Sequence, residues 1–278
     1  MVPELPDSYW TTFHFDPMIS SVTFHPIGQF HSDAKYPYDV PRQGVVAESS
    51  TGIIRLNPDS RFEEALSDLD GFDIIWVLFL FHRNHQWHPM VRPPRHVSRK
   101  VGLFATRSPY RPNPIGISAV RLLKREGLAL WISHHDLLDG TPILDIKPYL
   151  PYADAFPEAS AGWTAEEEGR ECQVLFSPLA QEQLSWLENH GVPCIRPFLL
   201  TQLGYDPLNP NRHRLVRTES GERAIAYRTW RAVFQMTADD TATVTSIFSA
   251  YTSEELRSGD DPYADKQVHR EFPWLDNP

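Results

Sequence analysis

The chain has 278 residues, with 36 Asp and Glu against 26 Lys and Arg, a formal net charge of −10 and 41% hydrophobic residues. That is the composition of a folded, water-soluble protein, and its acidity argues at first sight against a nucleic-acid binder. The longest apolar run, Ile74 to Phe81, is less than half of the ~20 residues a membrane span needs, and the first ten residues hold two acids and no base, the reverse of a secretory signal.

In chain order, β-branched and aromatic runs bounded by Gly, Pro or Asp predict strands at Val22–Phe30, Gly52–Leu56, Asp73–Phe81, Val101–Thr106, Ile115–Leu123 and Leu128–Ser133. One helix interrupts them. Ser60 and Glu63 have capping-box spacing, and Phe62, Leu66 and Leu69 follow with helical period. Many short strands with one short helix predict a mainly β fold, a barrel or curled sheet, spanning about residues 20–156. The acidic, apolar-poor stretch Ala153–Glu171 reads as a linker or surface excursion. A smaller α+β unit then covers about 170–252. It opens with a helix capped by Ser177, with Pro178 at its first position and Gly191 just past its end. Within it, 227–250 reads as a hairpin turning at Thr237–Thr241, with Trp230, Ala232, Phe234 and Met236 facing one side and Ala242, Val244, Ser246 and Phe248 completing it. Residues 253–278 read as a mobile acidic tail.

Two familiar chemistries are excluded by glycine spacing. None of the 14 glycines forms a G-x-G or GxxxxGK pattern, so neither a dinucleotide fingerprint nor a Walker loop is present, and no G-x-S-x-G elbow occurs. Cys172 and Cys194 support neither a disulfide framework nor a cysteine zinc site, and a reduced cytoplasmic setting is expected. The charge is unevenly spread. Between Arg83 and Arg125 there are ten Lys or Arg and no acid, so the rest of the chain carries a net −20. Such a belt, with Trp87 and Tyr110 available for stacking, suits a polyphosphate or RNA.

The belt contains the segment from Ala105 to Gly116, where Pro109, Pro112 and Pro114 stiffen a loop that holds Arg107, Arg111 and Asn113. A second cluster is Asp136-Leu137-Leu138-Asp139-Gly140-Thr141-Pro142, a turn whose carboxylates, with Asp145, can orient hydroxyls or an amine, and Lys147 can pair with one of them. Pro41-Arg42-Gln43 is a weaker signal. His82, His85 and His88 invite a metal reading, but Pro89 follows at once and no carboxylate or Cys lies close downstream, so no metal is expected. His82, ending an apolar strand, suits a polar contact in a pocket.

Taken in order, these stretches resemble the TrmO (YaeB, TsaA-like) family of S-adenosylmethionine-dependent tRNA methyltransferases, which act on N6 of N6-threonylcarbamoyladenosine beside the anticodon. The resemblance is carried by Pro-Ile-Gly at 26–28, Pro-Arg-Gln at 41–43 and Leu-Asp-Gly-Phe…Ile-Trp-Val-Leu-Phe-Leu-Phe-His at 69–82. It continues through Val-Arg-Pro-Pro-Arg at 91–95, Gly-Leu-Phe-Ala-Thr-Arg-Ser-Pro-Tyr-Arg-Pro-Asn-Pro-Ile-Gly at 102–116 and Asp-Leu-Leu-Asp-Gly-Thr-Pro-Ile-Leu-Asp-Ile-Lys-Pro-Tyr at 136–149. It implies a small β-barrel working as a homodimer. It also implies a cofactor pocket lined by Pro41, Arg42, Gln43, His82, Arg83, Arg107, Ile117, Asp136, Leu137, Leu138 and Asp139. Arg42 or Arg107 would take the methionine carboxylate, Arg92, Arg95, Arg111 and Asn113 would meet tRNA, and Asp136, Asp139 or His82 would accept the proton shed at N6. The chain departs from the family pattern at Asp73-Ile74, Gly44 and 206–215. A non-catalytic barrel that binds S-adenosylmethionine or a nucleotide and regulates a partner is the competing reading.

Overall fold

Apolar and polar residues alternating at period two build the first half of the chain into strands whose buried phase meets in one core. The computed structural model describes residues 22–36, 39, 50–92, 99–166, 171–205, 207–208, 214–218, 221–238 and 240–274. Strands β1 (Gly28–His31), β2 (Thr51–Leu56) and β3 (Ile74–Leu80) are followed by a short antiparallel pair, β4 (Met90–Val91) with β5 (Val101–Gly102). Then come β6 (Ile115–Glu126), β7 (Ala129–Ser133) and β8 (Pro142–Pro148). Six of these close into a barrel in the order β1-β2-β7-β6-β3-β8, every pairing antiparallel. Phe30, Ile54, Ile75, Val120, Leu130 and Ile132 have no exposed surface, and each contributes about 1.5–3 kcal/mol by leaving water.

Local chemistry moves some predicted boundaries. Pro26 cannot donate to a ladder, and the first strand starts only at Gly28, with Val22 and Phe24 lying exposed before it. The strand expected at Val101–Thr106 ends after Gly102, where Leu103–Ala105 coil into a 3-10 turn held by Thr106, whose N–H and hydroxyl both reach the Leu103 carbonyl. Helix α1 (Ser60–Ala65) is capped by Asp59, which accepts from the Arg61 N–H at 2.9 Å, one residue before the expected cap. Phe62, Leu66 and Leu69 pack on the barrel as their period requires.

After a short helix α2 (Pro151–Asp154), a second sheet forms from β9 (Gln173–Phe176), β10 (Leu215–Arg217), β11 (Arg223–Tyr227), β12 (Trp230–Ala238) and β13 (Thr241–Ser249), ordered β10-β11-β12-β13-β9. Helix α3 (Pro178–Asn189) packs on it together with α4 (Ile195–Leu203). Ser177 caps α3 by accepting from the Ala180 N–H and Gly191 lies just beyond its end, as predicted, there taking φ +90°. In the β12–β13 hairpin a bulge at Thr245 sets Val233 opposite Ser246 but Phe234 opposite Val244. The bulge reverses the inward phase of the second strand, so Ile247 is buried rather than the expected Ser246 and Phe248.

The expected mobile tail is instead structured through residue 274. Helices α5 (Ser253–Arg257) and α6 (Lys266–Glu271) carry Phe272 into the second core, where it is 2% exposed and packs edge-on against Trp230. A capping box between Thr252 and Glu255 starts α5.

Because all six barrel strands alternate in direction, the connections sort to two ends. The β1–β2, β3–β6 and β7–β8 connections all leave from one end. The opposite end carries α1 and the tight β6–β7 turn.

Candidate functional site

Nearly every residue singled out from sequence lies on those three connections. His82 and Arg83 follow β3, Arg92 and the Arg107–Asn113 segment lie before β6, and Asp136–Asp139 lie between β7 and β8. Ile117 sits near the start of β6 with its side chain 47% exposed. Pro41, Arg42, Gln43 and Arg95 lie outside the described residues, as do most of 206–215.

The connections are laced to each other. The Asp139 N–H donates to the Ala34 carbonyl at 2.8 Å, and its carboxylate accepts from the Ser32 N–H at 3.2 Å. His31 Nδ1 lies 3.6 Å from the same carboxylate. Gly140 holds φ +78°, a conformation that favours glycine and lets its N–H reach the Phe30 carbonyl. Arg83 donates to the Lys35 carbonyl. Asn84 donates to the Pro109 carbonyl, tying the start of the β3–β6 connection to its proline-rich end. Arg111 donates to the Thr106 carbonyl within its own loop.

At the centre stands Asp136. Its Oδ1 accepts from the Ser118 hydroxyl at 2.5 Å. Burial pushes its carboxyl above the ordinary carboxylate range, while Ser118 and the positive field of Arg107 pull it back down. Arg107 is exposed and lies near enough for its charge to act on this partly buried carboxyl. Burial and neighbouring Arg83 hold His82 below its ordinary value, so its imidazole is neutral at pH 7. Leu137 turns inward and is 1% exposed in the barrel core, so the structure does not present it to a ligand.

Other candidates separate. Asp145 lies on β8 opposite Leu78 and pairs with Lys147 at 2.7 Å, away from the turn. The basic belt is also divided, because Lys124 pairs with Glu126 and Arg125 with Asp70 at the opposite barrel end. His85 and His88 are exposed, and His88 packs its ring on Tyr110 at 5.2 Å. Among the described residues no group of three or more His, Cys, Asp or Glu is placed to hold a metal ion, and no helix is long and apolar enough to cross a membrane.

Comparison with known proteins fits this arrangement. Residues 29–155 match the family profile of the tRNA-methyltransferase O N-terminal domain. The chain is 38% identical over 196 residues to the tRNA (adenine(37)-N6)-methyltransferase of Escherichia coli K12, covering 68% of this chain and 83% of that protein. It belongs to the TrmO family. A solved TrmO structure from Pseudomonas aeruginosa superimposes with a TM-score of 0.58 at 32% identity, covering 82% of this chain and 99% of that one. A probable S-adenosyl-L-methionine-binding protein of Pyrococcus abyssi is 45% identical over 142 residues, 51% of this chain and 76% of the relative. As the resemblance implied, a TrmO-type barrel with a smaller α+β region is what the chain forms.

Three residues of this TrmO member escaped sequence reasoning. Ser118 had a legible signal, a polar residue on the buried phase of β6 between Gly116 and Val120. His135 is 1% exposed, with its ring edge-on to Phe30 at 4.6 Å. Burial pushes it down to about 4. Asp39 had no local signal for its side-chain partners, which are nearly 190 residues away in sequence.

Proposed function

We propose that the site end of the barrel binds S-adenosylmethionine and transfers its methyl group to N6 of an adenosine in tRNA, with N6-threonylcarbamoyladenosine next to the anticodon as the specific substrate. The observation that carries this reading is that Ser118 of β6 hydrogen-bonds Asp136 of the β7–β8 connection while Arg107 of the β3–β6 connection lies close enough to act on the same carboxyl. The names of the relatives support it: a tRNA (adenine(37)-N6)-methyltransferase and an S-adenosyl-L-methionine-binding protein.

The donor set fits the cofactor. An exposed guanidinium offers a fork to a carboxylate, and Asp136 offers an acceptor to an ammonium or hydroxyls. Ile117, adjacent to Ser118 on β6, is exposed but points to the opposite face of the strand. Bound S-adenosylmethionine supplies an electrophilic methyl carbon on its sulfonium. The chain's own contribution is alignment, holding donor and acceptor in line. As the N6–carbon bond forms, the N6 proton must leave. Asp139 is committed to Ser32 and His31, so the neutral His82 imidazole or the Asp136 carboxylate takes that proton. Arg92 and the other described site-end cations would meet the tRNA backbone, and the family resemblance adds Arg95 to them.

The same proposal divides the chain into a barrel domain of about 20–156 and a second unit from about 170 that includes α5 and α6. It also has the chain working as a cytoplasmic homodimer, for which light scattering should read twice the 31.9 kDa chain mass.

The test incubates the chain and methyl-labelled S-adenosylmethionine with bulk tRNA that carries or lacks the threonylcarbamoyl group, followed by nucleoside mass analysis. A methylated threonylcarbamoyladenosine is expected only from the modified tRNA. Tight cofactor binding with no label transferred would instead mark a regulatory barrel.

A further inference from the structure

We propose that Asp39, Tyr227 and Arg228 form a clasp through which the second sheet positions the cofactor site, which makes the latter two positioning residues for the transfer. The proposal rests on the reading of the site end as an S-adenosylmethionine pocket.

The Asp39 carboxylate is fully buried and takes four donors. The Lys35 and Tyr36 N–H groups reach Oδ2 at 3.1 and 3.0 Å. The Tyr227 hydroxyl reaches Oδ1 at 2.7 Å, and the Arg228 guanidinium reaches Oδ2 at 2.7 Å. Arg228 occupies the two-residue β11–β12 turn at φ +50°, where a long side chain is rare, and lies over the Tyr36 ring at 4.6 Å. A non-glycine residue kept in that conformation is held there by its surroundings. Burial and the adjoining carboxylate push the Tyr227 phenol up, so it remains a donor at every working pH.

The other end of the same short strap is fastened to the site. Ser32 and Ala34 hydrogen-bond Asp139, and the Lys35 carbonyl accepts from Arg83. Ser32, Ala34 and Lys35 at one end and Asp39 at the other thus tie the Asp136–Asp139 turn to a buried ion pair on the second sheet. A buried pair of this kind adds little net stability over apolar packing but fixes one arrangement. Here what it fixes is the strap that holds Asp139 and Arg83.

The experiment uses the full chain and titrates S-adenosylhomocysteine calorimetrically into wild type, Tyr227→Phe, Arg228→Met, Arg228→Lys and Thr229→Val. Thr229 serves as the control, because its hydroxyl bonds Asp265 in the same turn without touching Asp39. Tyr227→Phe and Arg228→Met are each expected to weaken binding about tenfold, within the range of ordinary site-to-site coupling. KM for S-adenosylmethionine should rise in parallel while kcat stays within about twofold. Arg228→Lys should recover most of the loss, and the double Tyr227→Phe/Arg228→Met variant should lose less than the product of the two. Folded Tyr227→Phe and Arg228→Met with wild-type affinity would overturn the proposal. So would an equal loss in Thr229→Val, which would mark general destabilisation. A wild-type chain that binds no S-adenosylhomocysteine would overturn the pocket reading itself, a different result from wild-type binding that the variants leave unchanged.

Discussion

The hydroxyl of Ser118 lies 2.5 Å from Oδ1 of Asp136, joining the start of β6 to the β7–β8 connection. It favours the charged form of a partly buried carboxyl and so opposes, without cancelling, the upward push of burial. Since the Asp136 pKa is raised, protonation reaches it at a higher pH than an ordinary Asp. Cofactor affinity should therefore fall as pH drops through that raised value. Ser118→Ala removes a lowering influence and should move the midpoint of this loss to still higher pH. Binding of S-adenosylhomocysteine measured as a function of pH in wild type and Ser118→Ala compares the two midpoints, and coincident profiles would show that the Asp136 charge plays no part.

Arg107 adds to the same balance through its positive charge. Arg107→Ala takes away both a charge-assisted contact and a field that favours the Asp136 anion. Cofactor binding at pH 7 should weaken about ten- to a hundredfold, the range for a hydrogen bond to a charged group. The residue is exposed, so thermal stability should hardly change. Unaltered cofactor affinity and methyl transfer would remove Arg107 from the pocket.

Much of this site was legible in the sequence because its signals are local. Three prolines between 109 and 114 and the Asp-Gly turn at 139–140 mark loops wherever they occur. The strand alternation then forces those loops to one barrel end. What stayed hidden depends on distant contacts. Nothing near Asp39 indicates that its partners are Tyr227 and Arg228, and the packing of Phe272 beside Trp230 turned an apparently acidic tail into part of a core. The charge belt misled in part because a sequence interval is not a face. Strand β6 carries Lys124 and Arg125 to the far end of the barrel, where Glu126 and Asp70 pair with them.

His135 makes an acid-stability prediction. It is 1% exposed, and its value falls from 6.5 to about 4 on burial. Above pH 6.5 the ring is neutral both folded and unfolded, and its full contribution is present. Between 6.5 and 4 only the unfolded chain takes up the proton, so stability is lost as pH falls, by about 3 kcal/mol over the window. His135→Leu should flatten this part of the profile. Denaturant midpoints at pH 7 and 4.5 provide the comparison, and an equal acid loss in both proteins would rule out His135 as the source.

Gly28 lies on β1 between β2 and β8, where a Cβ would sit 2.3 Å from the Arg55 carbonyl oxygen and 2.7 Å from the Leu56 Cα. Those atoms are backbone within a closed ladder and cannot swing aside. Gly28→Ala should therefore destabilise the barrel by about 1–3 kcal/mol, the usual cost of forced overpacking. The strand end that leads into the strap should move with it. A midpoint in urea indistinguishable from wild type would show that the barrel has slack there.

The divided belt makes the final prediction, about tRNA. Exposed Arg92 and Lys100 lie in the β3–β6 connection at the site end, whereas Lys124 and Arg125 are neutralised at the other. Binding should weaken steeply with salt as phosphate contacts release counterions. Arg92→Ala should weaken tRNA binding and lower the slope of log K against log salt by about one, as expected for one lost phosphate contact. Lys124→Ala and Arg125→Ala should leave the slope unchanged, because those cations already answer Glu126 and Asp70. A slope reduced equally by all three would return the whole belt to the interface and require the tRNA to reach both barrel ends. A slope near zero in the wild type would remove the phosphate backbone from recognition altogether.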